Sequence, residues 1–170
     1  SDYNNGVNIT LGGSNGTDSL GGTYTLSGIE QAIGTNSSDT ITGNTGDNWL
    51  YGKGGIDIIN GGAGNDIIIG ESGNDILSGG SGDDTYFYGG AEGIDSISDS
   101  SGASDRVYLA GGFSFSHSIF SESNNEFHIA GIASVNSVSD VEFVEYADGA
   151  KFTTDRLALD EFQDTNLAQY

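Results

Sequence analysis

Aspartate recurs at a fixed spacing through the middle of the chain, and its carboxylate can bind metal ions. Carboxylate and amide oxygens, together with backbone carbonyls, are the ligands that Ca²⁺ prefers, whereas Mg²⁺ demands stricter octahedral geometry. No histidine or cysteine joins the series, which disfavours zinc and redox metals. The series therefore predicts calcium sites. Its members are Asp39, Asn48, Asp57, Asp66, Asp75, Asp84, Asp95 and Asp105, with asparagine once in place of aspartate.

These residues lie in a nine-residue repeat that begins at Gly34. Six copies run in unbroken register: GTNSSDTIT, GNTGDNWLY, GKGGIDIIN, GGAGNDIII, GESGNDILS and GGSGDDTYF. A seventh copy, GAEGIDSIS, follows a two-residue slip, and a weak eighth, SSGASDRVY, follows one more residue. Each copy has the pattern G-G-x-G-x-D-x-U-x, where U is a large apolar residue. Glycine permits a tight turn with φ > 0, so the first six positions predict a turn.

The last three positions of each copy alternate outward, inward and outward, as in a short strand. Two copies then make one coil of about 18 residues, and copies n and n+2 stack at a spacing of about 4.8 Å. The predicted fold is all-β, a parallel β-roll with β-rich segments at both ends. Its inward positions are Ile41, Leu50, Ile59, Ile68, Leu77, Tyr86, Ile97 and Val107.

The nonapeptides resemble the RTX repeats of hemolysin-type proteins, a calcium-binding parallel β-helix pattern. The resemblance implies that each ion lies between copies n and n+2. It would take the aspartate and two backbone carbonyls from each copy, at positions two and four of one and positions one and three of the next. One row of sites would join Asp39, Asp57, Asp75 and Asp95 in succession, and the opposite row Asn48, Asp66, Asp84 and Asp105.

The same resemblance implies a set of backbone ligands in the central turns. We expect roughly four to six ions, with weaker sites at the two ends. There Ser37 replaces a glycine, Asn48 replaces an aspartate, and slips at Tyr88 and Asp99 disturb the last coil. The implied ligand residues are Gly52, Gly54, Gly55, Gly61, Gly62, Ala63, Gly64, Gly70, Ser72, Gly73, Gly79, Ser81 and Gly82.

The charge of the chain points to the same kind of partner. Acidic residues number 25 against 4 basic ones, which gives a formal net charge of −21. This charge repels nucleic acid and anionic membranes, and it opposes compaction unless cations bind. No apolar run approaches the roughly 20 residues of a membrane span. Because the core is thin, we expect folding and calcium binding to be one transition.

The segments outside the repeats are expected to be caps. Residues 1–33 form the predicted N-terminal β cap, 34–108 the roll, and 109–170 a β-rich C-terminal flank. An uncapped solenoid exposes its core, so Leu26, Ile29 and Ile33 are expected to cover the open end of the first coil. The two histidines, His117 and His128, lie on predicted strands of the flank.

One outer face of the predicted roll is a strip of apolar and aromatic side chains. Such a strip is unusual if left bare, so we expect residues 109–170 to fold back over it. The alternative is a platform for sugar rings or a partner domain. The strip comprises Trp49, Tyr51, Ile67, Ile69, Phe87 and Tyr108.

The function could belong to one of three classes: a folding module of a secreted protein, a binding module or an enzyme. The RTX resemblance implies a monomeric module of a larger secreted bacterial protein, which passes a type I secretion channel unfolded and folds outside in calcium. The alternative is a calcium-dependent adhesin or polysaccharide-binding module, with a polysaccharide or a neighbouring domain as partner. An enzyme is not expected, because no G-x-S-x-G, H-E-x-x-H or paired-carboxylate signature accompanies the histidines.

Overall fold

The computed structural model describes residues 6–12, 16–17, 23–24, 28–89, 93, 95–102, 104–110, 119–123, 126–130, 135–139, 143–147, 149 and 151–153. Across these residues the secondary structure is entirely β, as predicted, and no helix is long and apolar enough to span a membrane. The strands are β1 (Asn8–Thr10), β2 (Gly16–Thr17), β3 (Thr23–Tyr24), β4 (Gln31–Ile33), β5 (Thr40–Thr42), β6 (Trp49–Gly54), β7 (Ile58–Ala63), β8 (Ile67–Ser72), β9 (Ile76–Ser81), β10 (Thr85–Tyr88), β11 (Asp95–Ser98), β12 (Arg106–Leu109), β13 (Ile119–Ser123), β14 (Glu126–Ala130), β15 (Val135–Ser139), β16 (Phe143–Tyr146) and β17 (Lys151–Thr153).

The strands form two sheets, and the chain crosses from one to the other with every repeat. Sheet one has the order β13-β14-β15-β11-β9-β7-β5-β1-β2-β3, and sheet two has the order β17-β16-β12-β10-β8-β6-β4. Within the repeats all pairings are parallel and join strands of copies n and n+2. The predicted parallel β-roll is therefore confirmed.

The core lies between the two sheets, and each strand from β5 to β9 contributes one apolar side chain to it. In sheet one, Ile41 pairs with Ile59 and Ile59 with Leu77, while in sheet two Leu50 pairs with Ile68. All eight predicted inward side chains are buried, which confirms the register. Five further buried apolar side chains extend this core at the ends of the roll: Leu11, Ala32, Tyr88, Leu109 and Val144.

The strands are longer than the sequence pattern predicts. Four of them, β6 to β9, have six residues and reach into the first three positions of the next copy. These positions still pair with the copy two along, as Lys53 does with Glu71 and Gly62 with Gly80. The turn proper is therefore confined to positions four to six of each copy.

Parallel stacking continues beyond the repeats at both ends. Strand β1 pairs with β5 and β4 with β6, while β15 pairs with β11 and β16 with β12, all in parallel. Antiparallel strands then end sheet one, with β2 and β3 at one end and β13 and β14 at the other, and the antiparallel β17 ends sheet two at its C-terminal end. At its N-terminal end, sheet two ends with the parallel strand β4.

The predicted cap of the first coil is wrong for two of its three residues. Ile29 is 39% exposed and Ile33 is 49% exposed, and Leu26 lies outside the described residues. The alternation in β4 turns Ala32 inward against Leu50, so Ile33 on the next position must point outward. Ala32 and Leu11 are the buried side chains at this end.

The described strands of the C-terminal flank leave Trp49 of the aromatic strip exposed, and the covering of the strip by residues 109–170 stays a prediction, because much of the flank lies outside the described residues. Strands β13 to β17 extend the edges of the two sheets, and Trp49 is 51% exposed. Within the strip, the rings of Phe87 and Tyr108 stack on each other with centroids 5.5 Å apart. Residues 111–118 and 154–170 of the flank lie outside the described residues.

Candidate metal sites

The aspartates of alternate copies are joined by hydrogen bonds along one edge of the roll, which we call row one. The backbone N–H of Asp39 donates to Oδ1 of Asp57 at 2.8 Å, Asp57 donates to Asp75 at 2.8 Å, and Asp75 donates to Asp95 at 2.8 Å. Each carboxylate therefore reaches back to the preceding coil. The structure thus brings together the pairs that the repeat predicts, while their role as ligands remains a prediction.

The opposite edge, row two, repeats this arrangement. The N–H of Asn48 donates to Oδ1 of Asp66, that of Asp66 to Asp84, and that of Asp84 to Asp105, each at 2.7 Å. The bonded residues are 18 apart in the regular copies, but 20 apart from Asp75 to Asp95 and 21 apart from Asp84 to Asp105. The slips were expected to disturb the last coil, yet the hydrogen-bonded series continues across both, because the extra residues lie outside it.

The second carboxylate oxygen of the four central aspartates has a different environment. Oδ2 of Asp57, Asp66, Asp75 and Asp84 is buried and has no hydrogen-bond partner among the described residues. Burial raises the pKa of Asp57 to about 7 and those of Asp66 and Asp84 to about 6, although the backbone N–H donors lower them; the pKa of Asp75 is also raised by burial. Buried charges are normally paired or bound to metal.

These Oδ2 atoms point at the glycine that opens each copy. A methyl group on Gly52 would collide with Oδ2 of Asp57 and would also crowd the carbonyl oxygen of Gly70. The same substitution on Gly61 would strike Oδ2 of Asp66 and the carbonyl oxygen of Gly79. Carboxylate and carbonyl oxygens of successive coils therefore converge at one point, and the missing side chain leaves room for it. This oxygen-only environment fits calcium.

The other predicted backbone ligands lie in the same stacked turns. A Cβ on Gly73 would meet the carbonyl oxygen of Gly55, and one on Gly82 would meet that of Gly64, so the turns are in close backbone contact. Two position-three carbonyls, of Ser72 and Ser81, already accept hydrogen bonds from the N–H groups of Gly55 and Gly64. The predicted ligand roles of Gly54, Gly62 and Ala63 stay predictions, as do those of Gly70 and Gly79, whose carbonyl oxygens lie beside Oδ2 of Asp57 and Asp66.

The first two turns are closed by hydrogen bonds within the protein. Oδ1 of Asp39 accepts from the N–H of Val7 at 2.6 Å and from Oγ1 of Thr35 at 3.1 Å, and Oδ2 accepts from the N–H of Thr35. In the second copy, Oδ1 of Asn48 accepts from the N–H of Asn44 at 2.7 Å. Both side chains are buried, but their oxygens have protein donors.

The last coil contains an acidic residue that the sequence reasoning treated only as a slip. Carboxylate oxygens of Asp84, Asp99 and Asp105 lie within 4.8 Å of one another, and all three residues are buried. Asp99 precedes the eighth copy at the place where copies four and six have Gly61 and Gly79. The position of Asp99 could have predicted its role, because a side chain in place of the first glycine of a copy points into the turn.

The two histidines lie in the C-terminal flank. His128 lies in β14, opposite Ser121, and His117 lies outside the described residues. In the described part of the chain, the acidic and histidine side chains that come close enough together to hold a metal ion are those of Asp84, Asp99 and Asp105.

Comparison with known families agrees with the geometry of the turns. The family model described as "RTX calcium-binding nonapeptide repeat (4 copies)" matches residues 24–59 and 51–86. The two matches overlap and together span the six regular copies up to Tyr86. No curated protein matches the chain significantly.

Proposed function

We propose that this chain, an RTX-type calcium-binding repeat protein, is the folding module of a larger secreted bacterial protein. Calcium would fill the turns outside the cell and so complete the β-roll. The observation that carries the proposal is the set of four buried Oδ2 atoms, of Asp57, Asp66, Asp75 and Asp84, which have no hydrogen-bond donor in the described part of the chain. All four are buried, and those of Asp57 and Asp66 lie beside the backbone carbonyl oxygens of Gly70 and Gly79.

The electrostatics of the roll favour coupled folding and binding. Folding stacks aspartates into two rows and buries them, and the chain carries a formal net charge of −21. Burying an uncompensated carboxylate is unfavourable by several kcal/mol, even when part of its hydrogen bonding is kept. A bound divalent cation removes this penalty and adds about 2.7 kcal/mol at 100 times its dissociation constant. Metal-free chain should therefore remain unfolded.

The coupling of folding to calcium binding also fits secretion of the chain in an unfolded state. Extracellular calcium modules work at dissociation constants of about 10⁻⁴ to 10⁻³ M, far above the calcium concentrations of a cytoplasm. A chain that folds only at such concentrations stays extended during passage through a type I secretion channel and folds after it. Self-repulsion of the acidic residues keeps the metal-free chain expanded in the meantime.

A calcium titration followed by far-UV circular dichroism tests the proposal. The chelated chain should lack β structure and gain it cooperatively with Ca²⁺, whereas equal concentrations of Mg²⁺ should leave it unfolded because Mg²⁺ dehydrates reluctantly. A chelated sample with the spectrum of the calcium-loaded protein would refute coupled folding.

A second function, binding of a polysaccharide, is favoured by the exposed aromatic strip. Trp49 is 51% exposed, and Tyr51 is partly buried beside it in β6. Rings presented flat on a rigid sheet can stack on sugars. Replacing Trp49 with Ala should abolish binding to a glycan array in calcium. Ile58→Ala, on the opposite sheet and similarly exposed, is the matched control and should keep it. Equal binding by both variants would exclude the strip.

A further inference from the structure

The last turn of row two has an inward carboxylate where the regular turns have only a hydrogen atom. Strands β9 and β11 pair Ser78 with Ser98, and continuing this register by one residue places Asp99 beside Gly79. Asp99 is only 6% exposed, so its side chain points into the turn. A Cβ on Gly79 would collide with Oδ2 of Asp84 and Oδ2 of Asp99, which shows that the two oxygens converge on the same point.

Three buried carboxylates therefore meet in this turn, from Asp84, Asp99 and Asp105, with oxygens within 4.8 Å of one another. An independent observation points to a ligand: Oδ2 of Asp84 is buried without a hydrogen-bond donor among the described residues. Like charges this close repel strongly in a dry interior, and a cation of charge two or more between them converts the repulsion into attraction.

Tyr86 holds the third carboxylate in place. Its hydroxyl donates to Oδ2 of Asp99 at 2.7 Å and accepts from the N–H of Gly79. The N–H of Ser100 donates to Oδ1 of Asp99 at 2.7 Å. Tyr86 is the one tyrosine among the eight inward positions of the repeats, where the others are Ile, Leu or Val. The turn that contains Asp99 is thus also the turn in which an inward aliphatic side chain is replaced by the phenol of Tyr86.

We infer that Asp99 makes the last turn of row two a three-carboxylate cation site, with Tyr86 as its positioning residue. The site binds Ca²⁺ more tightly than the two-aspartate turns, and it prefers trivalent lanthanide ions more strongly, because affinity for hard cations rises with the number of charged ligands. The geometry of the three carboxylates indicates a cation site, and the inference rests on the proposed function only in naming calcium as the natural ion.

Calcium binding to the intact chain, measured by flow dialysis, tests the third ligand. Asp99→Asn should weaken the tightest class of site by about tenfold to a hundredfold. The matched control is Asp83→Asn, which removes the same charge from an exposed residue next to Asp84. Burial and the other acidic neighbours raise the pKa of Asp84 more than the charge of Asp83 does, so Asp83→Asn should leave that class of site within about twofold of wild type. Equal weakening by both variants, or no effect of Asp99→Asn, would overturn the inference.

Terbium luminescence gives a second readout that does not depend on the stability of the Asp99 variant. The first equivalent of Tb³⁺ added to the intact chain should emit on excitation of tyrosine, because Tyr86 contacts a ligand of the site. Tyr86→Phe should abolish most of this emission and weaken Tb³⁺ binding by about tenfold, the usual effect of removing a group that orients a ligand. Unchanged emission in Tyr86→Phe would overturn the role of Tyr86 and of this turn as the tightest site.

A chain that binds no calcium in dialysis would instead refute the proposed function, whereas calcium binding that is unaffected by Asp99→Asn refutes only the third ligand.

Discussion

The first two turns of the roll and the four turns that follow have the same repeat, but the side chain at position six finds hydrogen-bond donors in the first two and lacks one for Oδ2 in the other four. In the first copy the N–H of Thr35, at position two, donates to Asp39, and in the second copy the N–H of Asn44 donates to Asn48. No such bond is found in the four central turns of the described chain, and their Oδ2 atoms have no donor. One nonapeptide pattern can thus build a turn closed by hydrogen bonds or a turn open to a cation.

The conformation at position two separates the two kinds of turn. In the four central copies this residue is left-handed: φ is 84° at Lys53, 108° at Gly62, 64° at Glu71 and 110° at Gly80. Thr35 and Asn44, at the same position in the first two copies, do not have positive φ. Where position two is left-handed, the Oδ2 atom of the aspartate at position six has no donor among the described residues. Backbone conformation, and not the aspartate alone, therefore distinguishes open turns from closed ones.

The largest effect should follow from removing an aspartate of an open turn. Asp75 lies between two coils of row one, bonded to Asp57 on one side and Asp95 on the other. Asp75→Ala should therefore lose two ions in a calorimetric titration, because one carboxylate serves two sites. Asp39→Ala, from a closed turn, should lose at most one. Equal losses of ions in the two variants would contradict both the pairing and the contrast between the turns.

Acidification should also act on the open turns. The pKa of Asp57 is raised from 3.8 to about 7, so the folded, metal-free chain binds a proton that the unfolded chain releases. This proton stabilises the metal-free fold below pH 7, and the contribution is lost as the pH rises through 7. Calcium binding displaces this proton from the folded roll, so calcium affinity should be lower at pH 5.5 than at pH 7.5. Calorimetry at pH 7.5 and pH 5.5 measures this change, and equal affinities at the two values would disprove it.

Converting a closed turn should add a site. Asn48→Asp supplies the carboxylate that row two lacks at its first position, and Asn44→Gly in the same chain permits the left-handed conformation at position two. The double variant should bind one more calcium ion than wild type in flow dialysis. Asn48→Asp alone is the control and should add less, because the N–H of Asn44 still occupies the turn. An unchanged ion count in the double variant would show that something other than these two residues closes the turn.

The smallest effect concerns the left-handed residues themselves. Lys53 holds φ at 84°, a conformation unfavourable for any residue with a Cβ, so Lys53→Gly should stabilise the calcium-loaded protein by about 1 kcal/mol. Thr35→Gly, at the equivalent position of the closed first turn, should instead destabilise it, since glycine there adds freedom to the unfolded chain and removes the hydrogen bond from Oγ1 of Thr35 to Asp39. Urea unfolding in saturating calcium compares the two variants. A loss of stability in Lys53→Gly would mean that its side chain outweighs the strain.

The regular part of the fold is predictable because the repeat specifies every level of it. Alternation at the last three positions defines which side chains face the core, and all eight of them are buried as predicted. The same period brings the aspartates of copies n and n+2 together. Nothing beyond glycine, aspartate and an apolar residue at fixed intervals is needed for this prediction.

The parts that were not predicted depend on contacts that the repeat does not encode. Thr35 and Val7 close the turn of Asp39, and Val7 is 32 residues away from it, in a segment without the motif. Ile33 is exposed because Ala32 takes the inward position, although isoleucine is the more apolar of the two. Asp99 was treated as a break in the pattern, whereas its register with Gly79 makes it part of a turn.

The hydrogen bonds between aspartates also determine how an array of this kind changes in length over evolution. Because these bonds join residues 18 apart, duplication or deletion of two whole copies restores every partner and returns each strand to its own sheet. A change of a single copy would transfer all later strands to the opposite sheet, and the aromatic outer row begun by Trp49 would be continued by residues from the other face. Insertions of two or three residues, by contrast, are already tolerated between Asp75 and Asp95 and between Asp84 and Asp105. The coil of two copies is therefore the unit by which the array can lengthen or shorten without changing its pairing.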